Sequence, residues 1–155
     1  MQGRLIGGGC VLALLAGATL ADELPRAEQL KAFAAAGFNE NASECEIEET
    51  GTYSPPTMEV VRDLNGDGRH DALITEGSVY CYGRAGAGFY LVSQQADGQW
   101  KLLASEHGHA QFLESRGADG WPDIQVAGAG ACFMVLRHDG ERYRTLRRMG
   151  ERCGD

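Results

Sequence analysis

The sequence predicts a mainly β fold: two antiparallel β-meander units, arranged as a small blade-like sheet or sandwich and preceded by one short N-terminal helix. From Thr57 onward, short runs of β-branched and aromatic residues alternate with Gly and Asp-Gly turns. Part of this pattern occurs twice. Upstream of it, Leu30, Phe33 and Ala34 share one face at helical spacing, which indicates a short amphipathic helix within residues 24–37.

The strand predictions depend on these runs and on two turns. Asp97-Gly98 and Asp139-Gly140 are typical of β-hairpins. The candidate strands are Thr57–Arg62, Ala72–Glu76, Val79–Tyr82, Phe89–Gln94, Trp100–Ala104, Ile124–Ala127, Cys132–Arg137 and Tyr143–Arg147. Strands at this spacing with tight turns pair antiparallel.

The strands fall into two similar units, at about residues 57–104 and 112–147. The segment from Asp67 to Ile74 recurs as Asp119 to Val126, and residues 88–98 align without gaps on residues 130–140. Two units are too few for a closed propeller, which typically needs at least four blades. We therefore expect a small sheet or sandwich, with the helix and disulfides covering the remaining apolar surface.

The first 21 residues have the order of a secretory signal peptide. Arg4 precedes an apolar stretch from Val11 to Leu20, and Ala21 offers a small residue for cleavage. The apolar stretch is too short to cross a bilayer. We therefore expect residues 1–21 to be removed, and residues 22–155 to form a single β-rich domain that is periplasmic or secreted, with no membrane span after processing.

The charge balance favours cations as partners. The chain has 14 basic and 22 acidic residues, and removing Arg4 with the leader leaves 13 against 22, a net charge near −9. Such a surface repels phosphate backbones and anionic lipid headgroups. We therefore expect no nucleic acid as a partner.

Four cysteines remain after processing, which in an exported chain predicts two disulfides. They are Cys45, Cys81, Cys132 and Cys153, and three pairings are possible. Near neighbours close smaller loops at lower entropic cost, so pairing Cys45 with Cys81 and Cys132 with Cys153 is favoured. Zinc is the competing interpretation, but no C-x-x-C or Cys/His spacing supports it.

The loop from residue 63 to residue 71 combines the oxygen ligands that calcium requires. The candidate ligands are the side chains of Asp63, Asn65 and Asp67, the backbone carbonyl of Arg69 with its side chain outside, and Asp71 directly or through water. Gly66 and Gly68 permit the backbone to curl around a single point. Close carboxylates repel one another without a cation, so we expect folding to be coupled to one bound Ca²⁺ ion.

These nine residues resemble the D-x-N-G-D-G-x-x-D calcium loop of FG-GAP (integrin-type propeller) repeats and of dockerins. An EF-hand would place a bidentate Glu where Ile74 stands. Because Ala72–Glu76 is predicted as a strand, the FG-GAP-like form is favoured. The resemblance implies a loop that bridges strands of a blade and mainly stabilises structure, in proteins of adhesion and extracellular recognition.

The second copy of the loop departs from this pattern. Ser115 stands where Asp63 does, and Gly117 stands where Asn65 does, which leaves only two matching carboxylates. Two carboxylates rarely hold calcium alone. We therefore expect the second loop to be metal-free, with Trp121 and Pro122 packing in place of the ion.

The predicted function is that of an exported calcium-binding structural or recognition module, acting by contact rather than catalysis on an exported protein or a glycan. One alternative is a periplasmic inhibitor or immunity-type protein that blocks an exported enzyme. Another is a small hydrolase using calcium or the His107/His109 pair, which also has the spacing of two transition-metal ligands. Ser105 lacks the G-x-S-x-G elbow of hydrolases, and the sequence identifies no catalytic residue.

Overall fold

The computed structural model describes residues 24–39, 45, 53–128, 132–150 and 153. The expected signal peptide, residues 1–21, lies outside the described residues. None of the described helices has the length and apolar character needed to cross a membrane.

The described residues form two four-stranded antiparallel sheets, so the predicted fold class is confirmed. The first sheet has the order β1-β2-β3-β4, and the second has the order β5-β6-β7-β8. The elements are α1 (Arg26–Ala35), β1 (Ser54–Arg62), β2 (Asp71–Gly77), α2 (Val79–Tyr82), β3 (Ala87–Gln94), β4 (Trp100–His107), β5 (His109–Arg116), β6 (Pro122–Ala127), β7 (Phe133–His138) and β8 (Tyr143–Met149). Neighbouring strands in each sheet are consecutive in the chain, as in a meander.

One strand prediction was wrong, and one strand was missed. Val79–Tyr82 is the single helical turn α2, because the Ser78 hydroxyl accepts a hydrogen bond from the backbone N–H of Cys81 at 3.3 Å and thereby caps its start. The sequence also gave no sign of β5, whose polar residues lack clear alternation. β4 continues to His107, and a bend at Gly108 leads directly into β5.

Helix α1 covers the outer face of the first sheet. Its small residues Ala32 and Ala36 pack on Ile74 of β2 and Val92 of β3, and all four are buried. The Glu28 carboxylate also accepts a hydrogen bond from the Trp100 indole at 2.9 Å. The helix therefore protects this face of the first sheet from water. The predicted apolar face was only partly right, because Phe33 packs against this cluster whereas Leu30 and Ala34 are exposed.

A second apolar cluster fills the space between the two sheets. Its buried residues are Leu64, Leu73, Phe89, Leu91, Leu103, Ala104, Trp121, Ile124, Val126, Leu136 and Tyr143. Leu64 and Trp121 belong to connecting loops rather than to strands. This core therefore fixes the positions of the first loop and its second copy, as well as of the strands.

Both favoured disulfides are present. Cys45 pairs with Cys81, and Cys132 pairs with Cys153, with Cα–Cα distances of 5.5 and 4.9 Å that are usual for a disulfide. Disulfides are compatible with a secreted or periplasmic protein, because they persist in oxidising compartments.

Replacing Gly88 by Ala tests the packing around α2. A Cβ atom at Gly88 would lie 2.2 Å from Cε1 of the buried Tyr82 ring. We expect Gly88→Ala to lower the free energy of unfolding by about 1–3 kcal/mol, because the ring must move. The matched control is Gly128→Ala, whose nearest neighbour would be 3.8 Å away. Equal stability of the two variants in urea denaturation would contradict this packing.

Candidate metal centre

The predicted calcium loop connects β1 to β2 as a tight bend. Gly66 and Gly68 have φ angles of +85° and +82°, which L side chains rarely adopt. The backbone between them curls back toward Asp63. The chain therefore has the curled loop expected from the positions of its glycines.

The Asp63 carboxylate organises this bend. It accepts hydrogen bonds from the backbone N–H groups of Gly66 at 2.7 Å, Asp67 at 3.1 Å and Gly68 at 2.8 Å. These bonds, with the one from Gly68 as the largest cause, hold the pKa of Asp63 below its ordinary value. Asp63 is therefore a carboxylate that stays ionised and shapes the loop.

The Asp67 carboxylate is neutralised within the loop. Arg69 donates from Nη2 to Asp67 at 2.5 Å and from Nε to the carbonyl of Gln94 at 3.0 Å. The Asn65 side-chain amide also donates to Asp67, at 3.1 Å. The expectation that the Arg69 side chain lies outside the ring is wrong, because its guanidinium folds back onto the carboxylate.

Asp71 is the least satisfied group of the loop. Its side chain is fully buried, and Oδ2 accepts a hydrogen bond from the backbone N–H of Leu64 at 2.8 Å. Oδ1 is also buried, and no hydrogen bond of normal geometry reaches it from the described residues. Burial raises the pKa of Asp71 to about 6. The nearby Ser93 hydroxyl opposes this shift, and the charges of Asp67 and Asp63 add to it.

The equivalent carboxylate of the second copy is fully satisfied. Asp123 is also completely buried, but Arg137 donates to it from Nε at 2.9 Å and from Nη2 at 2.7 Å. The Ser115 hydroxyl donates to it at 2.6 Å. Arg137, as the largest cause, holds the pKa of Asp123 below its ordinary value. The second loop thus has its own cation, a guanidinium.

Strand register explains why only one of the two aspartates has a cation. Asp71 faces Ser93 across the β2–β3 pair. In the second sheet Ile124 faces Leu136, so the next position opposite Asp123 is Arg137. The gapless alignment of residues 88–98 on 130–140 pairs Arg137 with Gln95 instead. That alignment is two residues out of register because Asp97-Gly98 are the third and fourth residues of the loop between β3 and β4. Asp139-Gly140 are instead the first and second residues of the loop between β7 and β8.

The second loop packs directly against the first. Arg116 donates from Nη1 to the carbonyl of Leu64 at 3.1 Å and also to the carbonyl of Gly120. Gly120 approaches so closely that a Cβ atom there would lie 2.6 Å from the carbonyl oxygen of Asn65. Sequence reasoning missed Arg116, because this contact joins residues that are 52 positions apart.

The donor chemistry of the first loop fits a hard divalent ion. Asp63, Asn65, Asp67 and Asp71 offer side-chain oxygens, and Asp71 Oδ1 is a buried acceptor with no hydrogen-bond partner within the described part of the chain. As the loop is placed, however, no group of three or more His, Cys, Asp or Glu side chains among the described residues is arranged to hold a metal. An ion would have to displace Arg69 from Asp67 to complete the ligand set.

Another buried carboxylate, Glu76, provides a contrast. It is 2% exposed, and it accepts hydrogen bonds from the hydroxyl of Tyr53 at 3.1 Å and from the hydroxyl of Tyr82. Burial, followed by the hydrogen bond to Glu76, raises the pKa of Tyr82. Both Glu76 oxygens are therefore bonded, and this cluster acts as a polar brace within the first sheet.

The histidine pair is split between two strands. His107 ends β4 and His109 begins β5, and both are exposed. The His107 ring packs edge-on against Tyr82, with ring centroids 5.3 Å apart. The structure therefore assigns His107 a packing contact, and it brings neither histidine into the loop described above.

The two buried aspartates predict opposite pH dependences of stability in the metal-free protein. The raised pKa of Asp71 means that its contribution is most favourable below about pH 4 and is lost as the pH rises through about 6. That loss is on the order of 3 kcal/mol. The lowered pKa of Asp123 gives a contribution that is present at neutral pH and is lost in acid.

The variants Asp71→Asn and Asp123→Asn separate these contributions. In chelator, Asp71→Asn should be at least as stable as the parent at pH 7, because it removes a buried charge. Asp123→Asn should be less stable at pH 7 by about 1–3 kcal/mol, because Arg137 and Ser115 lose their acceptor. Urea denaturation from pH 4 to pH 7 measures both. If the free energy of unfolding had the same dependence on pH in the parent and in Asp71→Asn, the claim that burial raises the pKa of Asp71 would be contradicted.

Comparison with known proteins does not assign this site. No protein-family model, curated protein or solved structure matches the chain. The function must therefore be argued from the residues of the loop and from their contacts.

Proposed function

We propose that this chain is an exported calcium-binding structural or recognition module, with one Ca²⁺ site in the loop from residue 63 to residue 71. The observation that carries the proposal is the Asp71 carboxylate, which is fully buried. Its Oδ1 receives no hydrogen bond of normal geometry from the residues that the structure describes, although the Ser93 hydroxyl is near the carboxylate. A buried carboxylate in this state is costly unless a cation compensates it. Its counterpart Asp123 has Arg137 for that purpose.

Each residue of the proposed site has a distinct part. Asp63 keeps the loop curled through its three backbone hydrogen bonds, so it holds the other groups in place. Asn65 and Asp67 supply side-chain oxygens from the rim, Arg69 supplies its backbone carbonyl, and Asp71 supplies the buried oxygen. Bound calcium would supply positive charge to all of these oxygens, whereas the Arg69 guanidinium pairs only with the carboxylate of Asp67.

The role of such a site is to join the two sheets at one end. The first loop leads into β2, and the second loop holds it through the Arg116 guanidinium. An ion that fixes the first loop therefore also fixes its contact with the second sheet. This supports a function of contact and recognition, in which loops on a rigid scaffold present a binding surface.

Thermal denaturation with and without calcium tests the proposal directly. We expect saturating Ca²⁺ to stabilise the protein by about 2.7 kcal/mol at one hundred times Kd. For a domain of this size that corresponds to roughly 10 °C in the melting temperature, relative to chelator. Mg²⁺ at the same concentration should give a smaller shift, because it demands stricter octahedral geometry.

Two variants make this test specific. Asp71→Asn should abolish the calcium-dependent shift while leaving the chelated protein folded. Asp123→Asn should lower the melting temperature in both buffers and keep the calcium-dependent shift. A parent protein whose melting temperature is the same in calcium and in chelator would refute the site.

The Arg116 contact supplies a further prediction. Arg116→Gln removes the guanidinium that holds the Leu64 carbonyl, so we expect calcium affinity to fall by about tenfold, as for outer ligand supports in other metal sites. Isothermal titration calorimetry measures the affinity. The control is Arg148→Gln, an exposed position on β8, which should leave it unchanged. Equal affinities for the two variants would show that the second loop does not support the first.

A further inference from the structure

A cavity of about 260 Å³ lies between the two loops. Residues from the four hairpin connections at one end of the sheets line it: Asn65 and Asp67 before β2, Gln95 before β4, Asp119 before β6 and Glu141 before β8. The four connections meet because each joins consecutive antiparallel strands at the same end of the two sheets. Binding residues are often on loops that a rigid scaffold positions in this way.

The lining of this inter-loop cavity excludes several classes of ligand. Asp119 and Glu141 are exposed, and their carboxylates accept no hydrogen bond from the described residues. An apolar ligand that covered them would remove their water without replacing its hydrogen bonds. An anion would meet these two carboxylates. A simple organic cation would meet Arg69 and Lys101, which also line the cavity.

A neutral ligand with several hydroxyl groups can form hydrogen bonds with all of these polar groups. Each hydroxyl donates one hydrogen bond and accepts others, so it can bond a carboxylate and a guanidinium or ammonium group together. Asn65 and Gln95 add amide groups of the same dual character, and Trp121 adds an aromatic wall. The volume is below the roughly 300–1,000 Å³ of sites for drug-sized ligands, which limits the ligand to about one ring.

We propose that the inter-loop cavity binds a single neutral sugar ring, held by the carboxylates of Asp119 and Glu141 and by the amide and cationic groups around them. The inference deepens the proposed recognition role by assigning a ligand class. Asn65 and Asp67 line the inter-loop cavity and also belong to the calcium loop. Calcium should therefore strengthen sugar binding by fixing these residues. The sugar contacts to Asp119 and Glu141 do not themselves require calcium.

The test is a titration of the ¹⁵N-labelled full mature chain with methyl mannoside, methyl galactoside, N-acetylglucosamine and glucuronate, in calcium and in chelator. We expect at least one neutral sugar to give saturable chemical-shift changes, with a millimolar Kd, confined to residues 63–71, 95–99, 115–123 and 139–142. Absence of saturable changes with every neutral sugar would overturn the inference. Binding of glucuronate alone would also overturn it.

Matched variants connect binding to the cavity. Asp119 has a φ of +54°, a conformation that Asn tolerates, so Asp119→Asn should fold normally. It and Glu141→Ala should each weaken sugar binding by about tenfold, as for a lost bond to a charged group. Glu114→Ala, an exposed position on β5, should leave binding unchanged. Equal affinity in all three variants would place the sugar elsewhere and overturn the inference.

The same titration keeps the two proposals distinguishable. If sugars change the chemical shifts but calcium does not change the melting temperature, the sugar site is supported and the calcium site is refuted. A calcium-dependent melting temperature without sugar-dependent shifts would do the reverse.

Discussion

The buried carboxylate of Asp71 is the constraint on which the arrangement of the loops depends. Burial without a full set of hydrogen bonds disfavours the ionised form, which is why its pKa is raised to about 6. Asp123 occupies the equivalent position in the second sheet and stays ionised, because Arg137 faces it. The same buried position is thus compensated by an arginine in one copy, whereas in the other copy Oδ1 of the aspartate has no hydrogen-bond partner among the described residues.

The two copies of the loop therefore differ in their contacts. The second loop, neutralised from within, packs against the first, with Arg116 on the Leu64 carbonyl and Gly120 against the backbone of Asn65. The side-chain oxygens of the first loop lie at the end of the two sheets where this loop and the second loop meet. Helix α1 covers the outer face of the first sheet, whereas the loop residues Asp119 and Glu141 are exposed.

Features that depend on neighbouring residues could be predicted from the sequence. The Asp-Gly turns, the curled loop with its two glycines and the presence of helix α1 follow from local backbone preferences. The periodicity did not predict which face of α1 is buried, because Ala32 is buried while Leu30 and Ala34 are exposed. The predictions failed where local signals compete. Val79–Tyr82 has strand-like residues, but Ser78 caps a helical turn. The polar strand β5 is stabilised by pairing with β6. The residues of β5 show no periodicity from which this pairing could be predicted.

The sequence by itself predicted most strands of the meander and fixed the positions of the candidate ligands along the chain. It favoured the observed disulfide pairing as one of three possible pairings. Only the tertiary structure decided which of those ligands lacks a partner. That outcome depends on which side chain faces each aspartate across a strand pair, Ser93 for Asp71 and Arg137 for Asp123. Pairing of β2 with β3 and of β6 with β7 brings these residues opposite each other from distant parts of the chain. The local motif therefore does not reveal the charge state of the buried aspartate.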